Sequence, residues 1–173
     1  MEIKTLKLGM LNTNCYILDN NFETLIIDPA DDAGTIIKNL KHKPIGILIT
    51  HYHFDHVGAL NELIEKYPEI KIYDHQTLEE GENNIGKFKF VMIRTPGHKS
   101  DLISFLFGNN LFSGDFIFES SIGRCDLPTG NFNIMKESIK KILTYDENII
   151  IYPGHGNKTT LFKEKKNLLT YLD

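Results

Sequence analysis

A chain of 173 residues, 41% of them hydrophobic, is long enough to bury one core and is expected to form one domain over residues 1–173. A net charge of −4 without a long basic run speaks against a nucleic-acid surface, because phosphate binding needs clustered Lys and Arg. No apolar stretch reaches the roughly 20 residues of a membrane span, Met1–Lys4 opens no signal peptide, and Cys15 and Cys125 suggest no disulfide framework, so a cytoplasmic protein with free thiols is expected.

Residues 2–8 alternate weakly and predict an edge strand. Cys15–Leu18 and Glu23–Asp28 predict a hairpin turned by Asp19-Asn20-Asn21. Asp31 or Asp32 can cap a helix running to about Lys41. Ile45–Thr50 is a continuous apolar run, expected as a strand buried on both faces. Gly58–Tyr67 predicts a helix with Leu60, Leu63, Ile64 and Tyr67 on one face, followed by a strand at Ile70–Tyr73. Residues 75–86 are expected as a short helix and a loop. Strands follow at Phe88–Ile93, Leu102–Phe107 and Asn110–Ser113, then a helix at Phe132–Leu143, a strand at Asn148–Tyr152 and a final helix at Thr160–Leu172. The basic run Lys163–Lys166 reads as that helix's solvated face. Strand clusters interleaved with helices predict an α/β (α+β) chain of two packed sheets flanked by helices.

The chemistry is concentrated in His51-Tyr52-His53-Phe54-Asp55-His56. Three imidazoles and a carboxylate so close together repel once the rings are protonated and are costly to bury unpaired. A divalent cation resolves both problems, since it takes neutral ring nitrogen and ionised carboxylate oxygen. His51 and His53 point the same way in an extended segment, whereas Asp55 and His56 diverge at the following turn. One loop thus addresses two neighbouring metal positions. Later segments repeat a strand, a breaker and a ligand: Val91 to Pro96-Gly97-His98, Ile149 to Pro153-Gly154-His155, Leu111 to Gly114-Asp115, and Leu25 to Ile27-Asp28.

This set resembles the metallo-β-lactamase superfamily across nearly the whole chain: His51-x-His53-x-Asp55-His56, then His98, Asp115 and His155. Ser121 to Asn131, with Gly123-Arg124-Cys125-Asp126, is similar to a stretch of the small glyoxalase II-like hydrolases and the related persulfide dioxygenases. The resemblance implies an αββα sandwich with its site at one edge between the sheets. It also implies two divalent ions; zinc is the default for His and Asp ligands, and Fe and Mn suit them as well. His51, His53 and His98 would hold one ion, Asp55, His56 and His155 the other, and Asp115 would bridge. The resemblance further implies that the two ions would supply a water activated near neutral pH and a polarised carbonyl oxygen. The implied activity is thioester or ester hydrolysis on a small molecule, with Asp55 and Asp115 as the catalytic carboxylates. The chain ends 18 residues after His155, so the extra helical domain with which larger glyoxalase II enzymes hold glutathione is not expected.

Other residues carry two readings each. Asp28 either orients a ligating histidine through its free ring N–H or is a turn residue before Pro29; Thr50 and Ser113 are similar candidate supports. Arg124 either grips an anionic substrate or pairs with Asp126. Lys99 either reaches substrate or is simply exposed. Cys125 has nothing near it in sequence to lower its pKa except Arg124. His42 and His75 are expected to stay outside the site. The alternative activity is a mononuclear non-haem iron persulfide dioxygenase, with His51, His98 and Asp115 as a facial set. A scaffold that kept the fold but lost the chemistry is disfavoured by seven intact ligand types. β-Lactamases generally lack the bridging carboxylate, and flavodiiron proteins carry Glu where His53 stands.

Overall fold

Strand β2 (Thr13–Asp19) is buried along its whole length, which a strand achieves only when both faces of its sheet are covered. Tyr16 and Leu18 project to one face and pack on Phe90, Phe105 and Phe112 of a second sheet. Cys15 and Ile17 project to the other, against Ala33 and Ile36 of helix α1 (Ala33–Lys38) and Leu63 of helix α2 (Leu60–Lys66). The coordinates, a computed structural model, describe residues 1–173.

The first sheet adds β1 (Glu2–Leu8), β3 (Thr24–Ile27), β4 (Pro44–Leu48) and β5 (Lys71–Tyr73), in the order β1-β2-β3-β4-β5. The second contains β6 (Gly81–Ile85), β7 (Phe88–Arg94), β8 (Ile103–Phe107), β9 (Asn110–Gly114), β12 (Ile150–Pro153) and β13 (Thr159–Thr160), in the order β13-β12-β9-β8-β7-β6. Two short strands, β10 (Ile117–Phe118) and β11 (Ser121–Ile122), pair with each other. Helices α3 (Phe132–Ile142) and α4 (Leu161–Thr170) cover the second sheet's outer face through Met135, Ile139, Ile142, Leu161 and Leu168. The layers run helix, sheet, sheet, helix: the αββα metallo-β-lactamase fold that the resemblance implies.

Topology sets where the polar ends meet. β3 runs parallel to β4, and β12 parallel to β9. Antiparallel pairing of β7 with β8 and of β8 with β9 makes β7 run with β9. Within each sheet, therefore, the strands followed by a candidate ligand end at the same edge, where open α/β sheets bind ligands.

The differences from the sequence reading have local causes. Helix α1 stops at Lys38 rather than about Lys41, because Asn39 caps it and its side-chain amide donates to the Thr35 carbonyl at 2.8 Å. Residues 81–85 form strand β6, not part of a short helix and loop: Gly-Glu-Asn-Asn-Ile pairs antiparallel with β7 through a Gly86-Lys87 turn. Only Ile85 of that edge strand is buried, so its sequence lacks apolar alternation. Paired strand in the Ile45–Thr50 segment runs Pro44–Leu48, with Ile45 only half-buried, and Ile49 and Thr50 continue as buried chain towards the site.

Candidate metal centre

The loop leaving β4 carries His51 and His53 and then tightens into a single 3-10 turn, Phe54–His56. From the opposite sheet come His98 after β7, Asp115 after β9 and His155 after β12. The seven side chains gather into two groups: His51, His53, His98 and Asp115, and Asp55, His56 and His155. Within each, the available ligand atoms lie within 4.8 Å of one another. Asp115 stands between the groups. Its Oδ1 is 3.3 Å from His56 Nε2, and its Oδ2 is 3.5 Å from both His98 Nε2 and His155 Nε2. The approach depends on glycine: a Cβ on Gly154 would sit 2.1 Å from Asp115 Oδ1, and one on Gly123 1.8 Å from the Asp115 carbonyl oxygen.

Outer hydrogen bonds fix the rings. His56 Nδ1 donates to Asp28 Oδ2 at 2.8 Å. Thr50 donates its backbone N–H to Asp28 Oδ1 and its hydroxyl to Oδ2, at 2.8 and 2.6 Å, so its hydroxyl oxygen is left to accept from His51 Nδ1 at 3.1 Å. His98 Nδ1 donates to the Arg124 carbonyl at 2.7 Å, and His155 Nδ1 to the Leu11 carbonyl at 3.3 Å. Four histidines thus carry the proton on Nδ1 in the neutral form and aim an Nε2 lone pair inward. Asp28 holds its position with φ of 49°, a left-handed conformation that Asp tolerates better than most residues and that recurs at functional sites.

That arrangement is unfavourable without a cation. His53 Nδ1 lies 3.0 Å from His51 Nε2 and 2.9 Å from His98 Nε2. One hydrogen satisfies at most one of these contacts, and the other sets lone pair against lone pair. His56 Nε2 and Asp115 Oδ1 are both buried without a hydrogen-bond partner. Electrophilic ions in the two groups would satisfy all of these atoms, so the residues fit a pair of metals. Burial and the charge of His56 hold His51 well below the ordinary histidine range, and burial and His98 lower His53, keeping both rings neutral. Burial also disfavours charge on His56 and His155, but carboxylates outweigh it. Asp28 and Asp115 raise His56 to about 10; Asp115 and Asp55 raise His155 to about 9. Asp55 is held at about 2: burial pushes it up, but His155, His56 and the Thr13 hydroxyl more than compensate.

Of the residues with two readings, Asp28 and Thr50 sit behind His56 and His51. Ser113 does not touch a ligand ring; its hydroxyl donates to the Ile117 carbonyl at 3.1 Å and supports the turn around Asp115. Arg124 lines the cleft over the two groups, but its guanidinium forks onto Asp126 at 2.7 and 2.6 Å. Lys99 is directed to Asp101 at 2.8 Å and does not line the cleft. Burial and then the Asp126 charge raise the Cys125 thiol, the opposite of activation. His42 lies at the surface near Asp19, and His75 gives its carbonyl to Arg94 and sets its ring edge-on to Tyr52, outside both groups. Sequence reasoning missed Thr13, whose hydroxyl donates to Asp55 Oδ2 at 2.7 Å, and Asn14 and Tyr16, which both donate to the Pro153 carbonyl and hold the strand before His155. Nothing in those residue types signals partners so distant in the chain.

The sequence profile of the metallo-beta-lactamase superfamily matches residues 8–94 and 76–155. The chain belongs to the metallo-β-lactamase superfamily. Among curated members, the probable metallo-hydrolase YqgX of Bacillus subtilis is 32% identical over 201 residues, 95% of either chain. The hydroxyacylglutathione hydrolase GloC of Haemophilus influenzae is 28% identical over 204 residues, 96% of either chain. Among solved members, BLEG-1, described as a B3 metallo-beta-lactamase, superposes with a TM-score of 0.89 at 32% identity, covering 95% of this chain and 97% of its own. TTHA1623 in a di-iron-bound form gives 0.86 at 29% identity, covering 95% and 98%. Metallo-β-lactamase superfamily membership makes this chain one of a family of metal-dependent hydrolases, and its His/Asp cluster is consistent with a dinuclear site.

Proposed function

We propose that this chain is a metal-dependent thioester hydrolase of the glyoxalase II type, with His51, His53 and His98 holding one divalent ion, Asp55, His56 and His155 the other, and Asp115 shared. The observation that carries the reading is the placement of Asp115, whose two oxygens face ring nitrogens of both groups. When bound, the pair of ions would supply an activated water and a polarised acyl oxygen. The chain's own residues do the rest. Asp28 and Thr50 hold the Nδ1 side of His56 and His51, so each of these rings presents Nε2 to the ion position. Asp55, held at about 2, stays ionised and is oriented by Thr13 rather than exchanging protons. The cleft above, about 530 Å³, has room for a small acyl substrate and counts Phe54, Phe118 and Leu127 among its walls.

Elemental analysis should give close to two metals per chain, and the loaded protein should cleave thioesters without consuming oxygen. Asp115→Ala should lower the rate by at least about a hundredfold, on the scale of losing one preorganised electrostatic group, with far-ultraviolet dichroism unchanged. Full activity in that variant, or absence of thioesterase activity in protein holding two metals, would sink the reading. The His51–His53–His98–Asp115 group is complete without the second group, which favours one other reading, a mononuclear iron dioxygenase. Near one iron per chain with oxygen uptake on a persulfide would select it.

A further inference from the structure

The chain on either side of His51 is bound to the loop that follows His98. The Thr50 carbonyl accepts from the Ile103 N–H at 3.0 Å, and the Tyr52 N–H donates to Asp101 Oδ2 at 3.2 Å. Two hydrogen bonds between the sheets thus bracket His51, and the second lies directly before His53. Tyr52 is held at its far end as well, where its hydroxyl donates at 2.6 Å to Asp74 Oδ2, just past β5. His53 depends on this support more than the other ligands do. The other four site histidines have an Nδ1 partner behind them. His53 instead turns its Nδ1 inward, between His51 and His98, and no outer hydrogen bond runs to its ring. Such a ring is aimed by the backbone that carries it.

Asp101 is a costly residue in this place. Its side chain is 10% exposed, and its Oδ1 is buried with no hydrogen-bond partner, which subtracts from stability. The contacts of Oδ2 offset that cost: the Tyr52 N–H, and the Lys99 ammonium at 2.8 Å. Lys99 follows His98 directly, and its charge reaches His53: burial, His98 and then Lys99 all disfavour a proton on that ring. The same field opposes a metal cation beside the ring, and it does so less while Asp101 engages the ammonium.

We propose, resting on the ligand assignment of the thioesterase reading, that Asp101 is a positioning residue for the ion position formed by His51, His53, His98 and Asp115. Through the Tyr52 N–H it fixes His51 and His53 against His98, and through Lys99 it keeps a free ammonium from the ion. The other position has separate ties, from Thr13 to Asp55 and from Asn14 and Tyr16 to Pro153. Asp101 therefore acts on one position and not on both.

Two backgrounds separate the positions. His155→Ala leaves His51, His53, His98 and Asp115 as the complete group, and His98→Ala leaves Asp55, His56 and His155. Zinc affinity of the full chain is read in each by chelator competition. Adding Asp101→Ala should weaken zinc by about tenfold in the first background, the scale of losing a group that orients a ligand, and by less than about twofold in the second. Asp101→Asn keeps an oxygen for the Tyr52 N–H but leaves Lys99 unpaired. It should weaken zinc in the first background by about threefold, and Lys99→Met added to it should restore affinity to within about twofold. That pair of variants carries the test should Asp101→Ala not fold. Equal losses in the two backgrounds would make Asp101 a general stabiliser and overturn the proposal, as would no recovery with Lys99→Met. A background protein that takes up no zinc sinks the ligand assignment, and this inference with it. Zinc uptake indifferent to Asp101 sinks this inference alone.

Discussion

At the scale of single residues, Asp28 shows how much of a metal site lies behind its ligands. One carboxylate accepts from the Thr50 backbone, the Thr50 hydroxyl and His56 Nδ1. An amide cannot replace it. In Asp28→Asn, a side chain with its oxygen towards His56 would turn its NH₂ onto the Thr50 N–H, donor against donor. The reverse orientation would make His56 accept on Nδ1 and send its proton inward towards Asp115. Asn tolerates the left-handed backbone here as well as Asp does, so this substitution isolates the hydrogen-bonding effect. A buried unmet donor costs about 1–3 kcal/mol, and loss of an outer partner to a ligating histidine about 10–100-fold in metal affinity. Urea unfolding of the metal-free variant and chelator competition on the loaded one should show these losses; unchanged values in both would remove the role given to Asp28. The protons on His56 and His155, raised to about 10 and 9 by their carboxylate neighbours, carry a second expectation. Metal must displace both at pH 7, so loading should release about two protons per chain from these rings. Calorimetry in buffers of different ionisation enthalpy would count them, and a count near zero would mean that neither ring holds a second proton in the metal-free protein.

At the scale of elements, the site is built from strand ends, and that is why it was legible. A run of apolar residues stopped by Pro-Gly or Gly and followed by His or Asp states both the strand and what it delivers, and β7, β9 and β12 all keep to this grammar. Gly154→Ala tests how tightly the last of them is set. The new methyl would lie 2.1 Å from Asp115 Oδ1 and 2.7 Å from His56 Cε1, so the segment carrying His155 must move. We expect about 1–3 kcal/mol of destabilisation, the usual cost of overpacking, and a metal count that drops from near two towards one because the Asp55–His56–His155 group opens. Two metals held at undiminished affinity would show that the close approach is not required. Strand β6 was illegible for the opposite reason. Its Glu82, Asn83 and Asn84 have little strand propensity and no buried face, and their register comes from β7. Thr13, Asn14 and Tyr16 were likewise unreadable as site residues, since their partners Asp55 and Pro153 are brought to them only when the two sheets close.

At the scale of the whole molecule, the ligands divide between the sheets: His51, His53, Asp55 and His56 follow β4, whereas His98, Asp115 and His155 follow strands of the other sheet. Metal binding therefore ties the two halves at their open edge, and it is linked to folding wherever the unfolded chain binds metal less well. In the metal-free protein, protons take over part of that task. His56 and His155 have folded pKa values of about 10 and 9 against an ordinary 6.5. A raised value contributes stability that is complete below pH 6.5 and is lost as pH climbs through 9 and 10. Asp55, lowered to about 2 from 3.8, contributes stability above 3.8 that is lost only as pH falls through 2, so it is silent between pH 7 and 10. The metal-free protein should accordingly lose melting temperature from pH 7 to 10. General repulsion in a chain of net charge −4 pushes the same way, so the slope of that curve alone decides nothing. The loaded protein supplies the reference. Metal no longer competes with protons as pH rises, so its affinity for the folded chain increases, and the positive charge it adds offsets part of the global repulsion. The gap in melting temperature between loaded and metal-free protein should therefore widen steadily from pH 7 to 10, read by calorimetry at fixed free metal. A gap that stays constant or shrinks would mean that His56 and His155 are not holding protons where the ions belong.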